Sequence, residues 1–144
     1  MLVAAGQSQA GVIDGVKTVE DLTIYLGVVP VASVRSHSPN HVEARMHGGV
    51  PAPGLHTYHL VVALFEKGSG KRITDATVVA VVKEQGGKQW STPLNPMTVN
   101  YALTFGGYSA MRLAADYQID VRVMRASQVK RLHLVTASFT YEYD

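Results

Sequence analysis

Along almost its whole length this sequence alternates apolar with polar residues, and Gly, Pro and Asn break the alternation at intervals suited to turns. A side-chain period of two belongs to a β-strand, and no stretch keeps the 3.6-residue period of an amphipathic helix. The pattern restricts the chain to an all-β fold of about seven to nine strands, a sandwich or a barrel. Strands are expected over Leu22 to Val29 (ending at Pro30), Val42 to His47, His56 to Glu66, Ala76 to Gln85, Met97 to Thr104, Tyr117 to Met124 and Leu132 to Tyr143. Lys67 to Arg72 reads as a turn, Gly86-Gly87 as a hairpin, and Gly106-Gly107 as a break after Thr104. Tyr117 enters its strand two residues ahead of the apolar Ile119, as in the tyrosine corner of immunoglobulin-like domains. The expected architecture is therefore an immunoglobulin-like two-sheet β-sandwich.

At 144 residues, with no repeat or linker, the chain makes one domain, placed at 17–144 behind an N-terminal tail at 1–16. Ser8-Gln9-Ala10 has the small-x-Ala form of a signal-peptidase site, so the tail is either the remnant of an export signal, which points to a periplasmic or secreted protein, or an ordinary disordered N-terminus. Cysteine is absent, so thiol chemistry and disulfides are excluded. The net charge of +2 comes from basic residues scattered singly, which argues against a nucleic-acid partner. No apolar run reaches the roughly 18 residues of a membrane-spanning helix. There is no GxSxG, no HExxH and no phosphate-binding glycine loop opening a helix, and no carboxylate pair has a spacing suited to acid–base work, so an enzyme is not expected.

The chemically loaded residues are six histidines and the internal methionines, and five of those histidines, His37, His41, His47, His56 and His59, lie in the first half. Imidazole nitrogen with thioether sulfur suits copper, Cu(I) above all, better than the oxygen-seeking Ca²⁺ and Mg²⁺; iron ranks second. His56 and His59 are three apart in a strand and therefore point to opposite faces, so the pair cannot chelate as it would on a helix. Either remains a candidate ligand, His56 if it belongs to the preceding loop and His59 if it faces a partner strand. His47, beside Met46 and ahead of the Gly/Pro-rich stretch Gly48 to Gly54, is the leading candidate ligand. Met97 and Met111 join it because each sits where a strand is expected to begin or break. The plainer reading makes the histidines exposed or rim residues and the methionines core fillers. The chain would then be an immunoglobulin-like accessory domain that binds another protein and no metal.

The run PMTVNYALTFGGYSAMRLAADYQIDVRVM (Pro96 to Met124), with the closing SFTYEYD (Ser138 to Asp144), resembles the periplasmic iron-transport-associated proteins of bacteria. The resemblance covers about Glu43 to Asp144. It implies an immunoglobulin-like homodimer that binds copper or iron beside a membrane permease or another periplasmic protein. It also implies a metal site built from a strand-start Pro-Met element, here Pro96-Met97, and from an early strand, here Met46-His47. Phe105-Gly106 matches the family's aromatic-Gly pair, and Thr104 stands where the family has a histidine.

Overall fold

A computed structural model describes residues 11–31, 56–112, 115–125 and 133–142. Nine strands follow one another: β1 (Gly11–Ile13), β2 (Val16–Val19), β3 (Leu22–Pro30), β4 (His56–Glu66), β5 (Thr77–Glu84), β6 (Gln89–Val99), β7 (Ala102–Met111), β8 (Tyr117–Arg125) and β9 (His133–Glu142). Among the described residues there is no helix, hence none long and apolar enough to cross a membrane. The period-two reading holds where it is strongest. In β9, Val135, Ala137, Phe139 and Tyr141 are buried, and each polar residue between them is exposed.

All neighbouring strands pair antiparallel, in the order β1-β9-β8-β5-β6-β7-β4-β3-β2. The all-β class is as expected, but the strands form one continuous curled sheet where two separate sheets were anticipated. The curl happens in β6. Its first half pairs with β5, from Lys83↔Gln89 to Val78↔Leu94, and its second half pairs with β7, from Asn95↔Gly106 to Val99↔Ala102. Each half of β6 thus has a strand neighbour on one side only among the described residues. Pro93 and Pro96, which lack an N–H, are tolerated for that reason.

The curl brings the two ends of the sheet together around one core. Tyr58 on β4 meets Tyr141 on β9 with ring centroids 6.0 Å apart, and Lys17 on β2 lies 5.9 Å from the Phe139 ring. Leu60, Val62, Leu64 and Phe105 from one layer and Ile119, Val121 and Phe139 from the other are essentially excluded from solvent. At the corner entering β8, the Arg112 N–H donates to the Tyr117 hydroxyl at 2.7 Å, the contact that a tyrosine corner requires.

Two expectations need correction. Met97 to Thr104 is not one strand: Asn100 and Tyr101 have φ of 50° and 67° and make the hairpin turn between β6 and β7. Asn tolerates that left-handed region, as two-residue hairpins demand, and Tyr101 is carried into solvent. Gly106-Gly107 do not break the chain either, because both lie inside β7 and are buried. The Gly86-Gly87 hairpin forms as read, with φ of 102° and 154°. Residues 11–13, within the stretch read as a tail, pair with β9. The expected strand Val42 to His47 and the stretch Gly48 to Gly54 lie outside the described residues.

Candidate metal site

On β7 the alternation puts Thr104, Gly106 and Tyr108 on the face turned away from the core that holds Phe105. Its neighbours are β4 on one side and β6 on the other. The register sets His59 of β4 opposite Tyr108, and Met97 of β6 opposite Thr104. Both side chains then lean diagonally across β7 from opposite sides and meet over Gly106. A Cβ placed on Gly106 would overlap Met97 Sδ and lie 2.8 Å from His59 Nε2. The thioether sulfur and the imidazole nitrogen therefore flank a single point.

The surroundings suit a ligand site. His59 is only 6% exposed, and its ring meets the Tyr108 ring edge-on at 5.0 Å. Thr104 Oγ1, on the same face, is buried and has no hydrogen-bond partner among the described residues. Met97 is half-buried. Sulfur and imidazole nitrogen as paired donors select soft or borderline first-row ions, Cu(I) foremost, and here both atoms lie against Gly106. Among the described residues no three His, Cys, Asp or Glu side chains come together.

Of the residues singled out in the sequence, His59 and Met97 are brought together. Met111 is not: it is fully buried in the hydrophobic core, on the opposite face of β7 from Gly106. His56 opens β4, but its side chain, like all of Met46, His47, His37 and His41, lies outside the described residues. His133 is engaged elsewhere, with Nε2 2.6 Å from Glu20 Oε1, tying the β2–β3 turn to the start of β9. The meeting of His59 with Met97 was not read from the sequence. The available signal was Gly106 itself, since a glycine inside an alternating strand marks a close approach.

No protein-family model and no curated protein matches the sequence. Solved structures do match. FetP of uropathogenic E. coli, isolated after recombinant expression in the periplasm of E. coli BL21(DE3), superposes with a TM-score of 0.64 at 13% identity, over 96% of this chain and 97% of that one. The chain has the fold of FetP. Copper-reconstituted P19 from Campylobacter jejuni shares it, with a TM-score of 0.60 at 11% identity over 93% of this chain and 96% of P19. So does a DUF4426 family protein from Pseudomonas aeruginosa PAO1, with a TM-score of 0.60 at 17% identity over 90% of this chain and 94% of that one. FetP and P19 variants have also been solved with copper bound. At these identities the likeness is one of fold, and it agrees with the periplasmic family that Pro96 to Met124 resembles.

Proposed function

We propose that this protein is a non-catalytic periplasmic metal-binding or metal-delivery protein, with copper its first ligand and iron its second. One observation carries the reading: His59 Nε2 and Met97 Sδ converge on the point above Gly106. His59 and Met97 would hold the ion, and copper bound there would supply a redox-active centre for storage or transfer. The copper-bound FetP and P19 structures support the reading by likeness of fold. The small-x-Ala sequence at Ser8 to Ala10 supports export. A membrane permease or a second copy of the chain is the expected partner.

The accessory-domain reading is the rival, and exposed apolar side chains favour it. Val16 and Tyr25, a cross-strand pair on β2 and β3, are both exposed, as are Val29, Val99 and Tyr101. Titration with Cu(I), Cu(II) and Fe(II) under competition separates the two. The metal reading expects a Cu(I) site tighter than roughly 10 μM, about −7 kcal/mol, weakened at least about tenfold by His59→Ala and by Met97→Leu. Binding no tighter than that for any of the three ions decides for the accessory domain. A His47→Ala variant, run alongside, assigns or removes the early histidine as a further ligand.

A further inference from the structure

The two glycines in the middle of β7 are neighbours with different neighbourhoods. A Cβ on Gly107 would overlap the Pro93 carbonyl oxygen and sit 3.2 Å from both Leu94 Cδ2 and Thr92 Cγ2. Gly107 is thus required for packing, where β6 passes over β7 at the turn of the curl. A Cβ on Gly106 meets no backbone atom among its nearest neighbours. It meets the thioether of Met97 and the ring of His59, with Nε2 at 2.8 Å and Cε1 at 3.5 Å. Neither glycine has a left-handed φ, so backbone freedom explains neither. In the middle of a strand, where a side chain favours the extended conformation, a glycine persists only for the space it leaves.

We infer that Gly106 is the positioning residue of the metal site: by leaving β7 bare between Thr104 and Tyr108, it lets the His59 and Met97 donors reach one ion from opposite sides. The inference rests on the metal-binding reading and goes further, because it makes a residue with no donor atom a determinant of affinity. Bonds of about 2.0–2.3 Å to nitrogen and sulfur require the two atoms to share one small space. A methyl group at position 106 would overlap both donor atoms and displace them from one another. The overlap is with side-chain atoms and not with backbone, so the Met97 thioether and the His59 ring are what must shift.

The test compares wild type with Gly106→Ala, using Cu(I) as the probe and NMR of the metal-free protein as an independent readout. Expected are retained β content and cooperative unfolding, loss of the cross-peak between the Met97 methyl and the His59 ring, and Cu(I) affinity lower by at least about tenfold. Unchanged affinity in a variant that folds, or a Met97–His59 cross-peak that persists, overturns the inference. If wild type binds no copper while its cross-peak is present and is lost in Gly106→Ala, the metal reading fails and the positioning of the two side chains by Gly106 stands. Should Gly106→Ala not fold, the same substitution in a Met97→Ala background, where the larger overlap is gone, must still move the His59 ring resonances. Unmoved resonances there overturn the inference as well.

Discussion

Asp120 is the point at which the outer face of the β5-β8-β9 layer can be unlocked. Its carboxylate takes hydrogen bonds from Gln118 and Ser138 at 2.8 Å each, and Lys83 Nζ lies 2.8 Å from its other oxygen, so three adjacent strands are tied at one residue. Burial alone would raise its pKa. The bonds from Lys83, Gln118 and Ser138, with the Lys83 charge, outweigh that effect and hold the carboxyl below the usual aspartate range. Asp120→Asn keeps the shape and removes the charge. The Lys83 side chain is 39% exposed against 9% for Asp120, so the ion pair is discounted to the 0–1 kcal/mol of a screened pair. Weakening two charge-assisted hydrogen bonds to neutral ones adds about 1 kcal/mol each, for a total near 2–3 kcal/mol at pH 7. A depressed folded-state pKa means this stability is fully present above the unfolded value near 3.9 and is lost as pH falls through the folded value. Urea unfolding at a series of pH values should find wild type and Asp120→Asn about 2–3 kcal/mol apart at pH 7 and converging once Asp120 is protonated. A gap that stays constant down to about pH 2 would refute the reasoning, because the carboxylate charge would then contribute nothing.

Phe139→Ala removes a ring that is 1% exposed at the centre of the closed core and should cost about 3–5 kcal/mol in the same unfolding assay. Tyr101→Gly replaces a fully exposed residue at φ 67° and should stabilise the β6–β7 hairpin by about 1 kcal/mol; a loss of stability would show that the ring makes a contact worth more than its strain. Thr104→His places an imidazole directly across from Met97, at the roughly 5 Å Cβ separation of a cross-strand pair, and should tighten Cu(I) binding at least about tenfold. Competition titration showing no gain would place the ion away from this face of β7.

Much of this protein is dictated locally. The alternation that makes β4, β8 and β9 is a property of consecutive residues, so it appears in the sequence with its burial pattern nearly complete, and Gly86-Gly87 and Tyr117 announce their turn and corner in the same local way. The two-residue hairpin at Asn100-Tyr101 was harder to see, because Asn supplies the positive φ without the glycine that usually follows it. What no local pattern contains is which strand lies beside which. The change of partner along β6 curls the sheet by joining two hairpins, and it is the pairings of β4 with β7 and of β5 with β8 that bring together residues far apart in sequence. The candidate site depends on the same fact: His59 and Met97 become neighbours only because β4 and β6 flank β7 in a register that aims both at Gly106. The sequence alone determined the donors, an imidazole and a thioether on strands. The tertiary structure decided that these two donors meet, since strand order is set by long-range packing of the core and only then brings side chains 38 positions apart to one point.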